Sequence, residues 1–552
     1  MLSKYLTCFL FALVLVILFN SFSVAEQITE EWIITTVPEG LVGSRAAVSP
    51  GGDLYVANSI LDSVTGYDWI VTKFGSLGET LWTNAFRDTG YTHESPYFVA
   101  LDQFGNLYVV GYWNSDSTDD CLAIKYSPTG SIIWTASFLY YYLNDIAVDN
   151  YGNLYVTGFN GYDGADKENF ILTKLSASGE VLWTSVFDSP EHVQDIPYSI
   201  AADDSGNVYV AGYTCGPPDI YYYDYLTVKY STEGNLLWSA RYSSGTWRCD
   251  LAYDIVPDNQ GNCYVTGSIG DQYSLSSDAY LNIKYGPTGE TLWTRKLTGE
   301  YGGPYLTDLQ RSFTKVDDDG NIVVVGTTWG YLGSDYTLVK YSPNGDTMWH
   351  RIFKEDSLIS DDEVTSIAID VFNNIYITGR SWEYYNPQGL EDFLTVKYSS
   401  TGETNWAVRY NNPGDLSDRA RFVGIDSLGN TYVVGSSGPF NTYLKYKHVN
   451  SDTLQAAIKP IAWSLSQNYP NPFNPSTTIR FSLLSSSYVT LEVFNILGQK
   501  VRTLVNEDLT AGYKQINWDG TNQNGQPVSS GIYFYRLKTD SFSETKKMVL
   551  MK

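Results

Sequence analysis

The sequence predicts an all-β protein: an eight-bladed β-propeller with four-stranded blades, followed by a small β-sandwich. Three observations lead there. One sentence of sequence, clearest from Ile200 to Trp238, recurs eight times at a spacing of about 50 residues, the period of propellers and arrays. Each copy holds four short runs rich in β-branched and aromatic residues, bounded by Gly, Asn, Asp and Pro. The last copy lacks its fourth run, and a run that would supply it stands ahead of the first copy.

The second run of each copy carries an aromatic at Tyr55, Tyr108, Tyr155, Tyr209, Tyr264, Tyr376 and Tyr432, with Val323 in the sixth. The first run ends in Asp at Asp102, Asp149, Asp203, Asp258, Asp317, Asp370 and Asp426. The third holds a lysine in every copy: Lys73, Lys125, Lys174, Lys229, Lys284, Lys340, Lys397 and Lys445. The fourth bears Trp82, Trp134, Trp183, Trp238, Trp293, Trp349 or Trp406. The pattern D-x-x-G-N between the first two runs sets Asp to bond the turn backbone and Gly where positive φ is wanted, with Asn373 in the seventh copy. Turns such as Ser127 to Gly130 and Ser342 to Gly345 join the third run to the fourth, Pro presetting φ. Both junctions are hairpins.

A four-stranded sheet with two apolar faces buries neither alone, so the copies must stack, and radial closure makes a ring. The eighth copy stops after Tyr446 without a tryptophan strand, and Trp32 in EEWIITTV supplies one. The N-terminal strand is therefore expected to complete the last blade and remove an open edge.

Residues 1–25 read as a signal peptide, with Lys4, an apolar run from Phe9 to Phe19, and cleavage after Ala25. The propeller is expected over 26–450, a linker over 451–465 and a second domain over 466–552. No later stretch is apolar enough to span a bilayer as a helix, so no integral membrane segment is expected after cleavage. A formal charge of −26 gives no basic footprint for nucleic acid. Cys121, Cys215, Cys249 and Cys263 follow no zinc spacing. Cys215 and Cys249 fall in loops on one face of the ring, which allows a disulfide in an oxidising compartment; Cys263, mid-strand, reads as a small core residue.

The tail from Asn468 alternates apolar strands with Gly, Pro and Asn turns. Its ordered matches are Asn468 to Pro475, Gly498, Ala511-Gly512, Trp518-Asp519-Gly520, Ser530-Gly531-Ile532-Tyr533 and Lys546-Lys547-Met548-Val549. Through them it closely resembles the type A C-terminal sorting domain of type IX secretion substrates, itself similar to an immunoglobulin-like domain. The resemblance implies an Ig-like sandwich in which Lys546 and Lys547 close the sorting signal. It implies the type IX secretion machinery as partner, translocation across the outer membrane, and a secreted or cell-surface destination. The repeats resemble the bacterial β-propeller repeat of secreted proteins, which brings no catalytic residues with it.

Chemistry-bearing residues have structural readings that compete well. A lysine present in every blade serves every blade, its stem packed among aromatics and its ammonium on an acidic or carbonyl partner. The repeated Asp is a turn former first, and Asp317-Asp318-Asp319 lacks the spacing of a known calcium loop. The T-G-x-x-x-W lead-in resembles the tryptophan-docking repeat of quinoprotein dehydrogenases, without the adjacent cysteine pair or C-x-x-C-H site usual in many of them. His93, His192, His350 and His448 are scattered over different blades. Catalytic residues, metal and cofactor are therefore not expected.

The informative asymmetry is loop length: short, repeated turns at one end of the blades and long, individual loops at the other. The long loops hold Trp113, Tyr140, Tyr141, Tyr142, Tyr221, Tyr222, Tyr223, Trp247, Trp329, Trp382, Tyr384 and Tyr385. Loops on a rigid scaffold carry function, and aromatics with polar neighbours suit ligand faces. The expectation is a non-catalytic binding or adhesion protein for an extracellular glycan or other polymer, or for a protein. The competing readings are a secreted polysaccharide hydrolase or lyase or a quinoprotein-like dehydrogenase, and a structural surface spacer.

Overall fold

The computed structural model describes residues 28–36, 45–62, 66–87, 92–115, 118–139, 142–159, 168–215, 222–245, 248–258, 260–271, 277–298, 312–330, 333–354, 360–383, 390–412, 414, 416–448, 463–465, 468, 473, 475–510 and 512–551. Every regular element among them is a β-strand. The residues of the expected signal peptide, Ala25 included, lie outside this set.

Eight antiparallel units of four strands form the larger part. Four stand as separate sheets, and two pairs are joined into longer sheets by brief parallel contacts, at Gly66–Thr92 and Tyr223–Cys249. The first strands run Arg45–Val48, Thr92–Leu101, Tyr142–Val148, Asp195–Ala202, Arg248–Pro257, Phe313–Val316, Ser360–Ile369 and Asp418–Ile425. Each touches the next, and the last touches the first, so these strands form the inner wall of a closed ring. Closure follows the expected route. Strand Ile28–Thr36 pairs with Phe440–His448, setting Trp32 opposite Lys445 and Ile34 opposite Tyr443.

The repeated residues hold blade to blade. Asp102 Oδ1 accepts the N–H groups of Phe104 and Asn106 (3.0 and 2.8 Å), and its Oδ2 accepts Asn106 Nδ2. The buried Tyr108 hydroxyl lies 3.3 Å from Asp102 Oδ2 and 2.6 Å from the Gly152 carbonyl of the next blade. Burial and then Asp102 push its pKa far up, so it remains a donor. The arrangement recurs at Tyr155 and Tyr209, and Tyr432 reaches Gly52 to close the ring.

Lysine and tryptophan face each other in register and converge on one carbonyl of the following blade. Lys125 Nζ and Trp134 Nε1 both donate to Ala177 O, Lys174 and Trp183 to Thr232 O, and Lys284 and Trp293 to Pro343 O. At the junction Lys445 and Trp32 share Ser76 O at 2.6 and 3.2 Å. The turn glycine lies flat under the indole: at Gly234, φ 84°, an added Cβ would stand 2.7 Å from Trp183 Cδ2.

The inner strands are bulged. The register skips Tyr97, Asn144, Tyr198, Tyr253, Thr365 and Arg421 in six blades. In four of them the next residue ties into the following blade. Asp145 accepts the Ile200 N–H at 3.0 Å, Ser199 donates to Asp254 at 3.1 Å, Asp254 accepts the Thr314 N–H at 2.7 Å, and Ser366 accepts the Val423 N–H at 3.2 Å.

The tail forms two facing sheets, one of three strands within 464–518 and one of four within 487–550. Phe473, Ile479, Phe481, Leu491, Val493, Trp518, Tyr535 and Met548 fill a single core between them, the β-sandwich expected from the alternation. Among the described residues no helix is long and apolar enough to cross a membrane.

Candidate functional site

The two ends of the ring differ in how their polar groups are spent. At the short-turn end Asp side chains such as Asp102 bond their own turns, and Lys, Tyr and Trp side chains such as Lys125, Tyr108 and Trp134 bond the following blade. Even the acidic run is used there: Asp317 meets Lys340 at 2.7 Å and Asp319 accepts Asn373 Nδ2 at 2.9 Å. The other end, where long connections enter and leave the blades, holds the groups that the repeat does not account for.

Of the aromatics expected there, Tyr140, Tyr141, Tyr221, Trp247, Tyr384 and Tyr385 lie outside the described residues. Of the others, Tyr222 lies just ahead of a strand and Tyr142 opens a first strand; the remaining four sit on strands rather than loops, because the second and third strands run further than the repeat pattern indicates. Trp113 lies in Leu107–Ser115, Trp329 in Ile322–Gly330, Trp382 in Ile375–Glu383 and Tyr223 in Tyr223–Tyr230. Tyr142 is exposed and stacks on Phe159 at 4.6 Å, whereas Tyr222 is buried in the wall and Tyr223 packs 4.6 Å from Tyr213. Trp329 and Trp382 are half-buried.

The expected disulfide does not form. Cys215 and Cys249 also lie on strands, and both pair in register with Tyr223, which stands between them. Two strand spacings, roughly 10 Å, separate them, beyond the roughly 7 Å between Cα atoms that a disulfide spans; both remain buried thiols. Cys263 is buried in the core between blades 4 and 5, as expected. His192 bonds Asp188 at 2.6 Å on a loop and His350 lies on an outer strand, so the two are not brought together.

Charged residues that the sequence does not single out gather at the corner between blades 7 and 8. Arg380 reaches Glu363 (Nε to Oε2, 2.7 Å) and Glu391; Arg419 also bonds Glu391, which accepts the Ser417 hydroxyl at 3.0 Å. Burial pushes the Glu363 carboxyl up, with Arg380 opposing. Burial also opposes ionisation of Glu391, but Arg419 and Arg380 outweigh it and hold its pKa below the usual range. Arg421 occupies the bulge of the inner strand in blade 8, exposed beside them. Trp382 stands opposite Glu391 and two residues beyond Arg380 on one strand, so aromatic and guanidinium share a face.

Buried carboxylates also line this end. Asp195, Asp250 and Asp418 accept the N–H groups of Ser189, Ser244 and Asn412 at 2.6 to 2.7 Å, fastening the connections that enter the inner strands. Burial pushes Asp250 up to about 6 and raises Asp195 and Asp418. These groups fix loops in place. Their signal in the sequence was an Asp at the start of the first run, masked by the unequal length of the segments before it.

Fold and tail together define an exported β-propeller protein. Residues 467–551 match the family described as a secretion system C-terminal sorting domain, and residues 192–217 and 356–385 match the β-propeller repeat. The chain thus carries bacterial propeller repeats and a type IX sorting tail, which directs it to secretion or the outer surface. A curated relative, an uncharacterized WD repeat-containing protein of Acanthamoeba polyphaga mimivirus, is 23% identical across 69% of this chain; the match spans about a third (32%) of that protein. Among solved structures, PorZ, a surface component of the type IX secretion system of Porphyromonas gingivalis, is similar over 92% of this chain and 70% of its own, at 12% identity and a TM-score of 0.37. The Dos1 propeller is similar over 76% of this chain and 95% of its own, at 8% identity and 0.47. The propeller domain of the trilobed protease of Pyrococcus furiosus follows at 67% and 96%, 10% identity and 0.38. Likeness at this level is one of general architecture and says nothing of activity.

Proposed function

We propose that this protein is an exported, non-catalytic binding protein whose long-loop end takes an extracellular glycan or similar polymer. In this reading residues 26–450 are the binding unit, 451–465 a linker, and 466–552 the export unit that meets the secretion machinery, after a signal peptide ending at Ala25. One observation carries it: Trp382 shares a strand face with Arg380 at the corner where Arg419 and Arg421 also lie, at the long-loop end of the ring. Aromatic faces beside fixed polar groups are what a sugar surface requires. Trp329, at the same end of the neighbouring blade 6, extends the surface.

The test is a glycan array and a polymer pull-down with the full chain. Saturable binding is expected, weakened in Trp382→Ala and Trp329→Ala while the thermal unfolding midpoint holds. A flat array, or binding untouched by both substitutions, defeats the reading.

A further inference from the structure

We infer that Arg421 is the seat of an anionic group, so that the polymer met at the long-loop end is an acidic glycan bearing carboxylate or sulfate. This rests on the reading of that end as a binding face and adds the chemistry of what it binds.

Neighbouring arginines all have a carboxylate: Arg380 has Glu363 and Glu391, Arg409 has Asp392, and Arg419 has Glu391. Arg421 has none among the described residues and donates no hydrogen bond there. The charges that act on it are Arg419 and Arg380, of its own sign. Partial desolvation first, and then those two guanidiniums, push its pKa below the usual arginine range. The chain has 61 acidic residues against 35 basic ones, so counter-charge is abundant, yet none of the described acids is placed here. A solvent-open guanidinium with five N–H donors, like-charged neighbours and no acid partner among the described residues is free to receive an anion from outside. A planar fork of donors suits the two oxygens of a carboxylate or two of a sulfate.

Position adds to this. Arg421 is the bulge residue of its inner strand, and the equivalent residues in blades 2, 3, 4, 5 and 7 are Tyr97, Asn144, Tyr198, Tyr253 and Thr365. Arg421 is exposed and the other five are half-buried, and the rings of Tyr198 and Tyr253 stand 5.6 Å apart. These six bulges thus place neutral aromatic and polar groups and one cation on the inner wall. Sugar rings match the former and an acidic substituent the latter.

The experiment titrates the full chain by calorimetry with polygalacturonate, dextran sulfate and neutral dextran. Acidic polymers are expected to bind and dextran to bind far more weakly; the first two arms tell carboxylate from sulfate. Arg421→Gln should weaken acidic binding about tenfold or more, the scale of a lost charged hydrogen bond. Arg421→Lys should restore part of it, and Lys447→Gln, an exposed cation elsewhere, should change nothing. If Arg421→Gln does not fold, the salt dependence of the native chain decides, with affinity falling as salt rises. Equal binding of dextran, or indifference to Arg421 and to salt, overturns the inference. Should Trp382→Ala then still abolish binding, the binding-face reading stands without it. No saturable binding to any of the three polymers removes both.

Discussion

At the scale of single residues, the repeat works by sharing acceptors and counter-charges. Blade 6 shows how: Val323 replaces the tyrosine, no hydroxyl reaches Asp317, and Lys340 closes to 2.7 Å, against 3.4 Å for Lys125–Asp102 beside Tyr108. Both partners are almost fully buried. Lys340→Met should therefore cost about 3–5 kcal/mol by stranding a buried carboxylate, and adding Asp317→Asn should recover part of the loss; urea unfolding of both variants measures this. The lysine's role was legible in the sequence because its eightfold recurrence excluded a private function. Asp145 was not legible, since its meaning lies in the Ile200 N–H of another blade. Burial, against two backbone hydrogen bonds, lifts its pKa from 3.8 to about 6. A raised folded pKa means that its contribution to stability is fully present below about pH 4 and lost as pH rises through about 6. Asp145→Asn should flatten the stability profile across that window relative to the native chain; an unchanged slope in denaturant titrations at the two ends of the window would sink the point.

At the scale of elements, each tryptophan strand depends on the turn of the following blade. Gly234 meets two demands at once, a φ of 84° and an indole face where a Cβ would sit at 2.7 Å. Gly234→Ala should destabilise by roughly 1–3 kcal/mol, whereas Gly525→Ala in the tail, with φ 75° but open space around it, should bear the backbone cost alone. Chemical denaturation of the pair separates packing from conformational strain. Such hairpins, and the pairing of Trp32 with Lys445, were readable because turn chemistry and a missing strand are local signs. Strand ends were less readable. Trp113, Trp329 and Trp382 continue pairing past the repeated core, since strand extension depends on the partner strand and not on the repeat. The arginine corner escaped for a related reason: Glu363, Arg380, Glu391, Arg419 and Arg421 come from four strands of two blades, and the register of those strands alone brings them together.

At the scale of the whole molecule, ring and tail are built around separate cores. The ring's apolar clusters lie between successive blades, ending with one that joins Trp32, Ile34, Tyr432 and Tyr443 to Ala46, Leu54 and Phe74. The tail's cluster draws on residues 463–550 only, with Trp518 wholly buried at its centre and Met548 of the last strand against it. Lys546 and Lys547 lie on that same last strand, Lys546 pairing with Glu544 at 3.1 Å. Because the ring closes through Ile28–Thr36 and not through the tail, the two should unfold as independent units. A chain ended after residue 450 is expected to keep the unfolding midpoint of the ring and to lose export. A chain lacking 28–36 is expected to do the reverse, with the tail's transition intact and the ring destabilised along the open edge of Phe440–His448. Calorimetry of the three proteins, with fractionation of the producing cells, checks both halves. One shared transition that shifts when the tail is removed would show that the sorting unit also supports the ring, and that export could not then be separated from folding.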